Sequence, residues 1–492
     1  MTPSASPGTL SRTVIRGVGV IGGGQMVTQA LTFALYIVLA RLAPPHTFGT
    51  FAAASVLVTL SSLLVESGMS ATLIHRRDRL EEATSTALAA TATAGVLFSL
   101  LSLAAAPLIG WYFGSREIGE IALASSGTHL VTSLGVVPNA LLQRNFAFAR
   151  RTLVEPGAVI ALGVGSVAGL LLGYGAWGLL LGAYASAVTR VSLLWMLCRW
   201  RPTLRHATFS MWRELSGYAR HILAAEMLRE GNRVTTTALI GRFIGTSSLG
   251  QYNFGARIAT QTNALFVLTG ASVLFPAFSR ISHEEERFRL AFLRALRAIC
   301  MIAIPASLVF LGIGEQFVVI ALGERWRVAG HVLMALSFIG VGGALGSVGA
   351  EAFKAAGRPQ LAWRAQALSL ATTLAFVGIL LPFGVVAVAV GTSASFVAVG
   401  VFAIDAARRV LGLRAADVFR ELWPPVIAGL GGAGVSFAAD HWLLHAASRA
   451  TSVGLGLLVV ELLLAVATYL VVLTVLAPGR LGDLTSALRG RP

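Results

Sequence analysis

Apolar runs of 20 to 30 residues follow one another from Val18 to Pro478, separated by short polar gaps. About 20 mostly apolar residues carry a helix across ~30 Å of hydrocarbon. The pattern predicts spans at 18–40, 49–72, 84–113, 118–142, 152–173, 176–198, 217–241, 249–278, 295–321, 329–354, 361–382, 385–407, 423–443 and 452–477. That is an all-α polytopic membrane protein of about fourteen helices. Gly173-Tyr174-Gly175 and Pro382-Phe383-Gly384 read as turns joining hairpin partners. No gap is long enough for a separate soluble domain.

A spacing recurs. Arg41-Leu42 is followed by Phe48-Gly49-Thr50-Phe51; after the seventh span Arg242-Phe243 is followed by Leu249-Gly250-Gln251-Tyr252. A weaker echo pairs Gly175-Ala176-Trp177-Gly178 with Gly384-Val385-Val386-Ala387. Spans one to six and seven to twelve therefore read as two copies of one unit. Each copy has an even number of spans, so the repeat is parallel, with an axis along the membrane normal and a shared interface near the midplane. The expected division is 1–215, 216–415, and 416–492 for two additional helices and a tail.

Charge gives these spans a direction. Alternate gaps hold arginine clusters: Arg76/Arg77/Arg79, Arg144/Arg150/Arg151, Arg199/Arg201/Arg205/Arg213, Arg280/Arg287/Arg289/Arg294/Arg297, Lys354/Arg358/Arg364 and Arg408/Arg409/Arg414/Arg420. Both termini are also basic, and the other gaps are nearly bare of positive charge. Positive charge stays cytoplasmic during insertion, so both termini are expected inside, in a multi-pass protein of the cell membrane. Arg12 and Arg16 precede a first span without a small-residue cleavage site, so that span reads as a retained anchor.

Charged residues are 12% of the chain against about 25% in soluble proteins. The net charge of +16 is the product of this topology, and nucleic acid is not an expected partner. Cys198 and Cys300 fall near cytoplasmic span ends, where a structural disulfide is not expected. No metal-ligand cluster, cofactor motif or catalytic constellation is evident.

Polar residues inside spans carry the candidate chemistry. Gln25, Thr28, Gln29, Thr32 and Tyr36 share a face of the first span; Ser55, Thr59, Ser62 and Glu66 do so in the second; Ser125, Thr128, His129 and Thr132 in the fourth. Such stripes avoid lipid, which offers no hydrogen-bond partner. They are expected either to bond between helices or to face a water-filled cavity. His129 reads as a satisfied interhelical group. Glu66 either pairs with Arg41 or binds a coupling cation. Glu226, Arg229, Glu230, Arg233 and Thr237 crowd one face of the seventh span, with Arg220 and His221 nearer its cytoplasmic end. Each ion at a span centre costs ~2.5–3.5 kcal/mol, so neutralising pairs at i,i+3 and i,i+4 spacing account for part of this charge. They leave Arg257 of the eighth span, beside Asn253 and Gln261, without an acidic residue in its own helix. Guanidinium grips phosphate with two hydrogen bonds. The candidate substrate-binding residues are therefore Arg220, Arg229, Arg233, Arg257, Gln25 and Gln29; Glu66, Glu226 and Glu230 are candidates for ion coupling.

"ARLAPPHTFGTFA" (Ala40–Ala52), "ESGMSATLIHRRD" (Glu66–Asp78), "ALLQRNFAFARR" (Ala140–Arg151) and "YGAWGLLLG" (Tyr174–Gly182) occur in that order. "ALIGRFIGTSSLGQYNFGARIA" (Ala238–Ala259), "LFPAFSRI" (Leu274–Ile281), "GERWRVAG" (Gly323–Gly330) and "AAGRPQ" (Ala355–Gln360) follow. Over roughly residues 15 to 410 this set resembles the polysaccharide transporter branch of the multidrug/oligosaccharidyl-lipid/polysaccharide flippase superfamily. The resemblance implies two six-helix lobes around a central cavity, alternating access, and lipid-linked saccharide as cargo, with cavity arginines on the lipid diphosphate. Relatives carry an acidic residue about five before the "IG" of the seventh span. Here Thr236 stands there, which puts ion coupling through that carboxylate in doubt. The expected function is a flippase for a polyprenyl-diphosphate-linked oligosaccharide in extracellular polysaccharide synthesis, working beside glycosyltransferases and a polymerase. A cation-coupled drug exporter would favour cavity carboxylates and aromatics over arginine. A membrane glycosyltransferase or polymerase would need a sizeable outer catalytic loop, and the gaps here are short.

Overall fold

The computed structural model describes residues 7–60, 73, 78–144, 148–198, 200–202, 206–358, 360–446, 449 and 451–478. Within helices, the side chains of 7–22, 148–149, 217–226, 228–229, 262–273 and 451–452 lie outside the described set. No strand occurs among the described residues. Eleven helices or runs of consecutive helices among them are long and apolar enough to cross a membrane, and the chain is a multi-pass membrane protein. Fourteen spans are not established by that count. The second expected span runs into undescribed residues, and the seventh and eighth do not qualify, although their helices of 35 and 36 residues are each ~50 Å long.

Contacts divide the chain into two compact units, Met1–Ser247 and Ser248–Pro492. In the first unit, α1 (Pro7–Leu42) packs on α7 (Phe148–Thr152) and α8 (Val154–Leu171), and α8 packs closely on α9 (Ala176–Leu197). The turn between α8 and α9 holds Gly173 and Gly175 at φ of 82° and 52°, where a side chain would be strained. The α8–α9 seam is backbone against backbone: a Cβ on Gly178 would sit 2.7 Å from the Gly169 carbonyl carbon, and one on Gly165 would sit 2.9 Å from Gly182 Cα.

The fourth span is three pieces: α4 (Arg116–Ser125), α5 (Thr128–Ser133) and α6 (Val136–Arg144). Pro138 supplies no N–H to the Leu134 carbonyl four residues back; Trp195 Nε1 of α9 donates to it instead, at 3.0 Å. At the first break the Ser126 hydroxyl bonds back to the Leu123 carbonyl (2.7 Å), and Tyr184 of α9 donates to the Ala124 carbonyl (2.5 Å). Irregular backbone at membrane depth needs such replacements.

α3 (Leu80–Phe113) packs on α4, α5 and α10 (Phe209–Phe243). Two sets of contacts pin α10 to α3. Near their start, Thr208 caps α10 by accepting from Met211 N–H (3.4 Å), donates its hydroxyl to Glu82 (2.7 Å), and gives its N–H to Thr86 Oγ1 (3.1 Å). Near their end, Tyr112 donates to the Ala238 carbonyl (3.4 Å) and the Arg242 guanidinium lies over the Tyr112 ring, 5.8 Å from its centre. The seventh helix thus belongs by packing to the first unit, whereas the sequence repeat starts a new copy with it.

The second unit is built on α12 (Glu285–Leu322), against which α13 (Arg327–Leu336), α14 (Phe338–Ala355), α17 (Ala415–Ala439) and α18 (Thr451–Leu476) pack. α15 (Gln360–Leu380) and α14 both pack on α16 (Val385–Val410), and α11 (Thr246–Ile281) opens the unit. Phe278, Phe292, Leu296, Ile304, Leu308, Val348 and Ala352 are buried together in its core. The tenth span breaks as the fourth does: Ser337 bonds back to the Met334 carbonyl (2.7 Å), and Ser393 of α16 donates to the Ala335 carbonyl (2.7 Å). In both units a serine marks the break, and the sixth helix of the copy serves the carbonyl two residues before it. The two additional helices are tied to α12 by a bidentate Arg297–Glu421 pair (2.7 and 2.9 Å) and by Tyr469 donating to the Met301 carbonyl (2.7 Å).

Candidate functional site

In the first unit the polar stripe of α1 is only partly covered: Gln25 is exposed and Gln29 half-buried. Its threonines turn inward on their own helix. Thr28 Oγ1 donates to the Gly24 carbonyl (2.9 Å) and Thr32 Oγ1 to the Thr28 carbonyl (2.7 Å). Ser55 and Thr59 do the same toward Phe51 and Ser55, and Thr132 toward Thr128. These hydroxyls are satisfied at i−4 on their own helix, so those bonds are neither interhelical nor evidence of a cavity. His129, by contrast, is fully buried and faces Ser102 of α3, Nε2 to Oγ 3.1 Å, as an interhelical group.

On α10 the charge stripe resolves into a pair. Arg233 Nε donates to Glu230 Oε2 at 2.7 Å, one turn away. The pair is asymmetric: the Glu230 side chain is 12% exposed and that of Arg233 64%. Thr236 and Thr237 continue the face and are buried, Thr236 bonding back to the Asn232 carbonyl (3.0 Å). The side chains of Arg220, Glu226 and Arg229, and all of Glu66, lie outside the described residues.

In the second unit Arg257 is exposed on α11, with Asn253 and Gln261 of the same face half-buried. Tyr252, on another face, is buried against Thr392 of α16 (3.1 Å). Gln251 is also buried, fastening the loop before α13: it donates to the Arg325 carbonyl (2.7 Å) and accepts from Ala329 N–H (2.8 Å). So Gln251 and Tyr252 of the repeated motif build structure, and about a turn and a half on, the helix presents Arg257.

Arg233 and Arg257 each lie about ten residues, ~15 Å, from the near end of their helix, a depth comparable to the middle of a bilayer. An ionised side chain at that depth faces water, protein or an ion, because bare hydrocarbon is costly. Chemically the two offer planar cationic forks for an anion, while the α1 glutamines offer neutral amide donors and acceptors of the kind sugar hydroxyls accept. No group of three or more histidine, cysteine, aspartate or glutamate side chains suited to a metal ion occurs among the described residues. Reading polar faces on selected spans passed over the carboxylates of the additional helices, Glu421, Asp440 and Glu461, all buried. The available signal was a lone acidic residue in the middle of an apolar span, as at Glu461.

Residues 38–330 match the profile of a family described as "Polysaccharide biosynthesis protein". The chain is 23% identical over 419 residues to the lipopolysaccharide biosynthesis protein WzxC of Escherichia coli (strain K12), covering 82% of each chain. It is 25% identical over 345 residues to the succinoglycan biosynthesis transport protein ExoT of Rhizobium meliloti (strain 1021), covering 68% of this chain and 66% of that one. Among solved structures it superposes on the lipid II flippase MurJ in an inward closed conformation, with a TM-score of 0.72, 13% identity, and coverage of 92% of this chain and 98% of that one. An inward-facing multidrug resistance transporter of the MATE family matches with a TM-score of 0.63 and 14% identity over 80% of this chain and 98% of that one. These likenesses give the fold.

Proposed function

The chain belongs to the polysaccharide biosynthesis protein family, and from that premise we propose that it carries a polyprenyl-diphosphate-linked oligosaccharide from the inner to the outer leaflet of the cell membrane by alternating access. Relatives named for lipopolysaccharide and succinoglycan synthesis support a saccharide cargo, and the fold is one that a lipid II flippase also uses. The observation that carries the cargo's charge is the exposure of Arg233 and Arg257 deep in α10 and α11. Arg257 contacts the diphosphate, with Arg233, Arg220 and Arg229 as further cationic contacts and Gln25 and Gln29 toward the sugar. The chain is a transporter and carries out no covalent step. The arginine alternation supports cytoplasmic termini. An inside-negative potential then favours outward movement of the anion by ~2.3 kcal/mol per charge per 100 mV. The product is handed to an outer-face polymerase, its precursor having been assembled by glycosyltransferases inside.

The test is transport of a labelled lipid-linked oligosaccharide in vesicles. Arg257→Ala should lose at least about tenfold in rate at normal membrane abundance, the equivalent of one lost charge-assisted bond of ~1.5–3 kcal/mol. Arg257→Lys should recover only part of it, because the bidentate fork is gone. Full transport by the alanine variant rejects phosphate contact at Arg257.

A further inference from the structure

A second polar centre lies where α12, α17 and α18 meet. Gln316 of α12 donates from Nε2 to Asp440 Oδ2 at 2.5 Å. Asp440 opens a π turn, Asp440–Leu444, that ends α17. Its carbonyl accepts His445 N–H (2.9 Å) and its Oδ1 accepts Ala446 N–H (2.8 Å), so the carboxylate is fixed by the turn it begins. Such π segments recur at functional sites.

Glu461 faces Asp440 from α18. It is the only acidic or basic residue of that helix and is completely buried. Neither of its carboxyl oxygens has a hydrogen-bond partner among the described residues, nor does Gln316 Oε1. The nearby Ser436 hydroxyl goes to the Glu461 backbone carbonyl (3.3 Å), leaving the carboxyl untouched.

A helix clamp explains the Gln316–Asp440 bond. It does not explain a second carboxyl buried against the first with no donor. Two bare carboxylates in a low-dielectric site repel and are each poorly solvated, so they cannot both remain ionised and unaccompanied. Three orphaned acceptor oxygens and a negative charge call for a small hard cation. We infer that Gln316, Asp440 and Glu461 form a buried binding site for one small monovalent cation, either Na⁺ or a proton. Na⁺ takes oxygens from all three side chains; a proton on Glu461 turns that carboxyl into a donor to one of its neighbours. Either occupant joins the two additional helices to α12.

Other titratable groups on these elements are engaged elsewhere. His441 is exposed and stacks on Phe437. Glu315, next to Gln316, is held by Arg327 and His331. Tyr469 is bonded to the Met301 carbonyl, and Cys300 is buried in the core of the unit. His445 follows the π turn and is exposed. The site stands apart from the proposed transport function and is tested without cargo.

The experiment uses the purified full-length chain in nanodiscs. Melting temperature is followed as NaCl replaces choline chloride at constant ionic strength, at pH 6 and pH 8.5, for the unmodified protein, Glu461→Gln, Asp440→Asn and the exposed control Glu285→Gln. Na⁺ binding gives a saturable rise in melting temperature, larger at the higher pH because protons compete, and lost in Glu461→Gln but not in Glu285→Gln. Proton binding gives no Na⁺ effect but a fall in melting temperature from the lower to the higher pH that Glu461→Gln flattens. If Na⁺ and pH responses are the same in Glu461→Gln as in the unmodified protein, the inference is overturned. Should that variant not fold, infrared difference spectra of the unmodified protein and Asp440→Asn decide. A carboxylic C=O band that disappears with Na⁺ or at high pH, and shifts in Asp440→Asn, supports the site; the absence of any such band refutes it.

Discussion

Glu230 and Arg233 share one ion pair but not one environment. The carboxylate is buried and the guanidinium mostly exposed, so the two losses are unequal. Arg233→Gln takes an ion-pair partner from a buried charge, whereas Glu230→Gln leaves an arginine that still has exposed surface around it. Detergent-solubilised Arg233→Gln should therefore melt several degrees lower than Glu230→Gln, and the double variant should regain most of that loss. Transport should stay low in Arg233→Gln and in the double variant alike, since the cation for the cargo is gone from both. Recovery of transport as well as stability in the double variant would remove Arg233 from the binding residues. The stripe on α10 was legible because charge inside an apolar run is rare. The hydroxyl stripes were legible only as positions: whether a threonine bonds across or back is decided by a rotamer that helical spacing does not encode. Glu461 escaped for the opposite reason, being alone on its helix and so on no stripe at all.

Among the helices, hydropathy located most boundaries, and the turns at Gly173–Gly175 and Gly384 lie where Gly and Pro placed them. The breaks inside spans four and ten were not legible. Pro138 hints at the first, but a free Leu134 carbonyl is tolerable only because Trp195, far along the chain, can reach it. Likewise nothing in the sequence of α10 tells that it lies along α3; Thr208, Glu82, Tyr112 and Arg242 become a latch only once the helices are side by side. Glycines inside helices also differ in consequence. Gly178 meets backbone at 2.7 Å and Gly231, in α10, meets nothing within 4 Å. Gly178→Ala should pry α8 from α9 and cost on the order of 1–3 kcal/mol of overpacking strain. Gly231→Ala should be neutral or stabilise by up to ~1 kcal/mol through helix propensity. Thermal melts of both variants in detergent check the contrast, and equal melting temperatures contradict it.

For the whole molecule the arginine alternation predicts which loops face the cytoplasm. Single cysteines at Arg77, Arg205 or Arg287 should be shielded from an impermeant thiol reagent in intact cells, while cysteines at Ser115 and Glu324 should label. The two native cysteines are both buried, and replacing them with alanine gives the background. External labelling at 287 inverts the orientation and sinks the topology. The glycine seam also bears on the order in which the molecule is made. A backbone interface has no side-chain rotamers to freeze, so zipping it shut carries little entropic penalty. With a two-glycine turn between them, α8 and α9 can leave the translocon as one finished hairpin before the second unit has been synthesised. α1 precedes that hairpin in the chain and packs on α8, so the surface it turns to α8 stays open to lipid until the hairpin arrives.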